Sequence, residues 1–385
     1  MRETVMITGV RTPVGRRNGK LSAVRPDELL AKTLAGLVEK AGVDSGQVED
    51  VIAGCVGQVG EQAGDIARTA ALMAGFPIHV PGATIDRQCG SSQQAVHFAS
   101  QAIACGDMDV VIAAGVESMS RVPMFSNMQG TEYSPLLTEK YEMLHQGLSA
   151  ERIARKWGLT REELDSFALH SHQRAVRAQN QGLFDEEILP VEVIGSDGWK
   201  QLVRMDEGPR ASTTLEKLSE LQPVFEKDGV ITAGNASQIS DGAAAVLLMS
   251  RQKAVELGLK VKFRVVARSV VGSDPTLMLT GPIPATEKVL EKAGMTINDI
   301  DLYEVNEAFA PVPLVWQREI GADPGKLNVN GGAIALGHPL GASGARVMIT
   351  LMNALSQTGG RFGLQTICEG FGMANATIIE RIADK

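Results

Sequence analysis

The sequence predicts an α/β protein of two similar halves, each a sheet covered by helices on both faces, with a loop region inserted between sheet-forming parts. Composition, the alternation of strands with helices, and an internal repeat carry that prediction. Of 385 residues, 44% are hydrophobic, only 4% are aromatic and 41 are glycine. Such a mix suits close helix–sheet packing better than a β-sandwich.

Residues 5–10 read as a short buried strand and 51–56 as a second. Between them Pro26-Asp27 opens a helix with Leu30, Leu34, Leu37 and Ala41 on one face, closed by Gly42. The segment Asp86-Arg-Gln-Cys-Gly-Ser-Ser leads into a helix carrying Ala95, Ala99, Ala102 and Ile103, and residues 109–115 follow as a buried strand. This alternation predicts a mostly parallel sheet.

The texture changes near Ser118. Residues 119–143 are irregular and rich in Met, Ser, Asn and Pro. Helices are expected from Ser149 and from Thr160, where Glu163 completes a capping box. Residues 182–230 are polar, with a short helical stretch near 215–221, and residues 241–249 restore a strand pattern. The expected division is an N-terminal half (1–117 and 241–260), an inserted loop domain (118–240) and a C-terminal half (261–385).

The repeat ties the halves together. Glu39-Lys-Ala-Gly42 recurs as Glu291-Lys-Ala-Gly294, and six residues beyond each glycine come Val48 and Ile300. From Gly42 to Cys89 is 89 − 42 = 47 residues, and from Gly294 to Gly341 is 341 − 294 = 47. At that register Ser91 lies over Ser343, so two Gly/Ser helix starts correspond and are expected to face one another.

Charge and cysteine usage exclude several classes. A formal net charge of −8 opposes a protein-wide grip on nucleic acid. The four cysteines (Cys55, Cys89, Cys105, Cys368) form no CxxC pair and accompany no ligand-like His cluster, which points to a reducing compartment without a disulfide framework or metal site. Cys55 and Cys105, inside apolar runs, read as small buried hydrophobes. The N-terminus lacks a signal-peptide profile, the final Ala-Asp-Lys is not a peroxisomal signal, and no apolar run is long enough for a membrane span. A soluble cytoplasmic protein is expected.

Chemistry concentrates in three places. The stretch 328–344 holds five glycines and His338, which precedes Pro339 and is therefore steered out of the α region, beside a helix start. An imidazole there can handle protons. Cys89 stands at a strand-to-helix junction, where the helix N-terminus favours thiolate. The repeat makes the loop carrying His338 the counterpart of its turn, so an activated Cys–His pair is expected. Cys368 ends a strand at another glycine turn. His79, His97, His170 and His172 show no such placement and read as structural.

These residues carry a resemblance to the thiolase family. The stretch 328–344 is similar to its C-terminal signature. Asn306-Glu-Ala-Phe-Ala310, Gly234-Asn-Ala-Ser237 with Asp241-Gly-Ala-Ala, Gly115-Val-Glu-Ser-Met119 and the Cys89 turn resemble further blocks, in family order and over essentially the whole chain. The resemblance implies a thiolase-like fold of two mixed-sheet α/β halves plus a loop domain.

It also implies roles. Cys89 takes the acyl group, and His338 acts as general base and steadies an enolate oxyanion with Asn306 working through an ordered water. Cys368 exchanges a proton with the acetyl α-carbon or the CoA thiol, and the N–H groups of Cys89 and Gly370 form a second oxyanion hole. Coenzyme A is a substrate, with no separate cofactor. Ser237, His145 and Phe309 are implied near its reactive end, Arg210 on its adenine and Lys217 on a phosphate, although Lys217 also reads as a solvated helix face. The implied assembly is a homodimer or homotetramer, with a hydratase–dehydrogenase as candidate partner. The glycines of 328–344 read as space for a thioester between the halves.

Departures from the family pattern bear on substrate. Asp86, Ser92 and Gln93 replace the expected types around Cys89, Gln146 replaces a common Met, Leu279 a common Gly, and Phe371 a Gly after Cys368. They point away from acetoacetyl-CoA, toward a degradative 3-ketoacyl-CoA thiolase for a longer or bulkier acyl chain in fatty-acid β-oxidation chemistry. Condensation of two acetyl-CoA molecules and a non-catalytic acyl-CoA-binding scaffold stand as alternatives. A decarboxylating ketosynthase does not, because a second catalytic His would be expected where Cys368 stands.

Overall fold

A computed structural model describes residues 2–128, 130–195, 198 and 200–382. The chain opens with β1 (Thr4–Arg11), β2 (Gly15–Arg16), α1 (Pro26–Ala41), β3 (Asp50–Gly54), α2 (Ile66–Met73), β4 (Gly82–Ile85), α3 (Ser91–Cys105) and β5 (Val110–Ser118). Then come α4 (Pro135–Thr138), α5 (Gln146–Lys156), α6 (Arg161–Asn180), the hairpin β6 (Val191–Ile194) and β7 (Lys200–Val203), and α7 (Leu215–Ser219). The sheet resumes with β8 (Ser240–Ser250), followed by α8 (Arg251–Glu256), β9 (Phe263–Gly272), α9 (Pro282–Ala293) and β10 (Leu302–Val305). Last are α10 (Pro311–Ile320), α11 (Ala333–Leu336), α12 (Leu340–Thr358), β11 (Phe362–Glu369) and β12 (Met373–Arg381).

Ten strands form one sheet in the order β10-β11-β12-β9-β1-β8-β5-β3-β4, with β2 paired to β8. The expectation of a mostly parallel sheet is corrected. β3 is parallel to β4 and β5, and β10 to β11, but β8 and β12 each run antiparallel to both neighbours. β12 follows β11 through a tight turn, which only antiparallel pairing allows. β8 arrives from the inserted region, so hydrophobic runs alone do not reveal its direction. The halves join where β1 meets β9, at Val5↔Arg264 and Met6↔Phe263.

The repeat is physical. Its offset is 294 − 42 = 252 residues, and Gly42 and Gly294 close α1 and α9 in the left-handed region, at φ 65° and 63°. The same offset relates the starts of β3 and β10 (302 − 50) and of β5 and β11 (362 − 110). α12 starts three residues earlier than the offset from Ser91 to Ser343 requires, so Ser343 lies inside its first turn.

Alternation along β1 sends Val5 and Ile7 to one core with α1 and α2, and Met6 to another with α3 and α12. That second core draws on strands of both halves, including Val246 and Ile379, so α3 and α12 form a shared central layer. α12 is accordingly buried nearly all round, its polar Ser343, Arg346 and Thr350 included. A third core, with Val289 and Trp316, lies under α9 and α10.

Local expectations fare variously. Thr160 and Glu163 form the capping box of α6. The helix expected from Ser149 begins at Gln146, because the His145 ring accepts from Gly147 N (3.1 Å) and caps it. The β6–β7 hairpin went unread in its polar stretch. Cys55 is buried as expected, but Cys105 is exposed at the end of α3, where the helix face has turned to solvent.

Candidate active site

The turn before α3 is built by its own polar side chains. Asp86 Oδ1 accepts from Gln88 N (2.6 Å), while Ser91 Oγ accepts from Arg87 N (2.9 Å) and donates to Gln88 O (2.6 Å). Gln88 is held in the left-handed region, at φ 48°. For a residue other than glycine this costs roughly 1–2 kcal/mol, a strain typical of turns that present a functional side chain. Cys89 follows, half-buried.

The second turn is held from outside. Asn328 binds both backbone groups of Val305 and the Glu307 carboxylate, at 2.9 Å each. Glu307 also accepts from Ser171 Oγ (2.6 Å) and Ile334 N (3.2 Å), tying α6 to the 328–344 stretch. His338 N donates to Gln238 O (3.1 Å) and Ser240 Oγ (3.2 Å). Gly337, at φ 106°, supplies the bend.

The glycines of this stretch do something other than make room for substrate. A Cβ at Gly341 would strike the backbone of Val116, Gly54 and Cys55, and one at Gly344 the backbone of Gln93. They let the first turns of α12 lie against the N-terminal half. The expected thioester space is therefore corrected for these two positions.

The imidazole has a defined tautomer. Ser343 Oγ donates to Pro339 O (2.8 Å) and lies 2.6 Å from His338 Nδ1, so Nδ1 carries the hydrogen and Oγ accepts it. Nε2 is then the basic nitrogen, 3.3 Å from Asn306 Nδ2, which places Asn306 beside it. Burial, reinforced by Arg346, drops the imidazole to about 3 from its ordinary 6.5, so it is neutral, with Nε2 unprotonated, near neutral pH.

Cys89, His338 and Gly370 line one cavity of about 290 Å³, together with the predicted Ser237, His145 and Phe309 and the departures Gln146 and Leu279. Cys368 sits one layer behind, fully buried among Met278, Leu279, Ala308 and Phe309. Its thiol is raised well above its ordinary range, by burial first and then by Cys89. Arg210 is exposed on a separate cavity with His172 and Arg177, and Lys217 is exposed with its Nζ bonded to Ser212 O (2.7 Å). Neither lines the reactive cavity. Of the histidines read as structural, His97 bonds Thr377 Oγ1 (2.7 Å) and His172 accepts from Arg210 N (3.2 Å).

One electrostatic expectation reverses. Cys89 is not a pre-formed thiolate: burial, and then the Glu369 charge, push it up to about 12. Desolvation outweighs the partial charge of the helix terminus. The arrangement can therefore transfer an acyl group to sulfur only when a base takes the thiol proton, and His338 Nε2 is suited to that.

Sequence reasoning missed Ser343 as tautomer setter, Glu307 as clamp, and the buried carboxylates Glu117 and Glu369. The repeat could have found the last pair, since 117 + 252 = 369.

A second cavity of about 380 Å³ shares His145, Gln146 and Gly370 with the first. Its wall is aromatic and methionine-rich, with Phe125, Tyr133, Phe371, Met128, Met143 and Met278. Phe371 stands at φ 66°, its ring edge-to-face with Tyr133 at 5.8 Å.

Comparison with known proteins places the geometry. The profile for the thiolase N-terminal domain matches residues 4–252 and that for the C-terminal domain residues 259–381. Steroid 3-ketoacyl-CoA thiolase FadA6 of Mycobacterium tuberculosis is 49% identical, over 99% of this chain and 95% of that protein. A 3-ketoacyl-CoA thiolase of Aliivibrio fischeri is 44% identical, over 99% of this chain and 100% of its own. The crystal structure of the Bacillus anthracis acetyl-CoA acetyltransferase superposes with a TM-score of 0.92 at 40% identity, covering 99% of both chains.

Proposed function

The chain belongs to the thiolase family of acyltransferases, and from that premise we propose that it thiolyses 3-ketoacyl-CoA in the degradative direction, on an acyl chain bulkier than acetoacetyl. The observation that carries the reading is the shared cavity of Cys89 and His338, with Nε2 left as the basic nitrogen.

The Cys89 proton passes to His338 Nε2 as sulfur attacks the 3-keto carbon. N–H groups of Cys89 and Gly370 hold the tetrahedral oxyanion. The C2–C3 bond then breaks, with His338 and Asn306 steadying the departing enolate and Cys368 protonating its carbon. The Cys368 thiolate removes the proton of an incoming CoA thiol, which attacks the acyl-Cys89 thioester. Cys89 leaves and recovers its proton from His338, and shortened acyl-CoA departs. Exchange of one thioester for another keeps the transfer nearly isoenergetic, and the separate proton donor explains two thiols with different duties.

Support for a bulky chain comes from the second cavity. It shares His145, Gln146 and Gly370 with the reactive one, and its walls combine rigid aromatic rings with adaptable methionines. The name of the Mycobacterium tuberculosis relative points the same way. For coenzyme A, Ser237, His145 and Phe309 suit the pantetheine end, with Arg210 and Lys217 left for its outer part. A second copy as partner is supported by β4, which ends the sheet as an edge strand, and by exposed Leu72, Met73 and Ile78 on α2 and the loop that leads into β4.

Thiolysis measured over acetoacetyl-, straight-chain and ring-bearing 3-ketoacyl-CoA, with mass analysis of trapped enzyme, tests the reading. An acyl adduct on Cys89 and the largest kcat/KM for a bulky chain are expected. A profile confined to acetyl-CoA condensation would sink the degradative assignment, and an adduct elsewhere would sink the mechanism.

A further inference from the structure

Glu369, on the strand that carries Cys368, has no task in the reaction just described, yet it is fully buried beside the nucleophile. A Cβ on Gly90 would collide with its Oε1, so the carboxyl lies directly against the residue that caps α3. No side chain caps that helix locally. We propose that Glu369 is a positioning residue of the nucleophile: its carboxyl takes the N-terminal field of α3 and keeps Cys89 a thiol until His338 removes the proton. The proposal rests on the reading of Cys89 as the acylated residue.

The repeat provides the comparison that gives this content. Glu117, at the corresponding point of β5, also reaches across to the other half and meets the start of α12. There it accepts from Gly341 N (2.9 Å), Val56 N (2.9 Å), Gly57 N (3.0 Å) and Gln62 Nε2 (2.7 Å). Those donors account for both carboxylate oxygens, and the group serves as a cross-link between halves. Glu369 repeats the placement without the bonding. With the Asn375 amide turned so that its oxygen accepts from Gln94 N (3.2 Å), its nitrogen donates to Glu369 Oε1 (3.3 Å), and Oε2 has no protein partner. A buried carboxyl oxygen left without a donor is costly, and such cost is usually retained where the charge has a use.

The groups facing it fit that use. Asp86, Arg87 and Cys89 approach from the nucleophile turn and Cys368 from its own strand. Arg87 Nε is likewise buried without a partner. Burial holds Glu369 itself well above the usual carboxylate range, against the pull of Arg87; in its charged form it is the largest influence on Cys89 after burial, and it raises the thiol. A sulfur kept protonated is a poor target for adventitious alkylation or oxidation, because the thiolate is the reactive form. It also has its proton in place for His338, which must return that proton when the sulfur leaves.

The test is the rate at which iodoacetamide alkylates Cys89 in the full-length enzyme, followed from pH 6 to 10 and located by peptide mass. Glu369→Gln should move the alkaline rise to lower pH and speed alkylation at pH 8, by about tenfold for each pH unit of displacement. Glu369→Asp, which keeps the charge, should stay near the parent profile. Glu369→Met, which substitutes an apolar chain of similar length, should behave as Glu369→Gln and serves if the latter does not fold. Profiles of folded Gln or Met variants coinciding with the parent would overturn the proposal. Absence of any acyl adduct on Cys89 in the parent would instead overturn the reading it rests on, so the two failures are distinguishable.

Discussion

The helix starts of α3 and α12 are the same construction put to different uses. Each follows a turn at corresponding positions, each has a serine at the repeat position (Ser91, Ser343), and each receives a buried carboxylate from the opposite half (Glu369, Glu117). At α12 both oxygens of the Glu117 carboxyl are satisfied and the turn joins the halves. At α3 the carboxylate is under-bonded, Gln88 is strained and the cysteine is half-exposed. Both copies carry a reacting group, Cys89 before α3 and His338 before α12. The saturated carboxylate shows how the link between halves is made.

Removing the nucleophile should have the largest effect. Cys89→Ser, at a position where the other half has Gly341, is expected to lower thiolysis by about 10⁴-fold or more and abolish the acyl adduct, with thermal denaturation unchanged. Retained turnover would break the functional side of the comparison. Next comes the structural side. Glu117→Ala strands four donors and should cost roughly 3–5 kcal/mol by denaturant unfolding, whereas Glu369→Gln should be nearly neutral. Equal losses would erase the contrast.

The two serines should separate by readout. Ser343→Ala frees the His338 tautomer and should lower kcat by about tenfold. Ser91→Ala loosens only the Cys89 turn and should act mainly on stability, by about 1 kcal/mol. In the parent, His338 is depressed to about 3, so its basic form persists as pH falls through 6.5. The acid limb of kcat/KM from this group is therefore expected near the lower value, and a limb at 6.5 would contradict the burial described. Smallest is Phe371→Gly. Relief of the left-handed φ should stabilise the fold by about 1 kcal/mol, while kcat/KM falls several-fold for bulky chains only. A uniform fall across chain lengths would detach the second cavity from the acyl group.

Much of this is legible in the sequence. Local signals gave α1 with its Gly42 stop, the Thr160–Glu163 capping box, and the equal spacing that makes the halves similar. The same signals misled where the answer lay across the chain. The polar setting of residues 182–230 hid the pairing of Val191–Ile194 with Lys200–Val203, and the antiparallel courses of β8 and β12 leave no mark on hydrophobic periodicity.

For the site, the residue types and their turns were written in the chain: a cysteine at a helix start, a histidine before proline, a second thiol at a glycine turn. Backbone preference is set by neighbours a few residues away, so sequence can specify such turns unaided. The protonation states were decided only by the fold. Desolvation and charge at a sulfur or imidazole depend on what is packed around it, here Glu369 from β11 and Arg346 from α12, hundreds of residues from Cys89 and on the far side of Ser343 from His338. A thiolate was expected from the helix start alone; burial makes it a thiol, and in the proposed reaction its proton goes to His338.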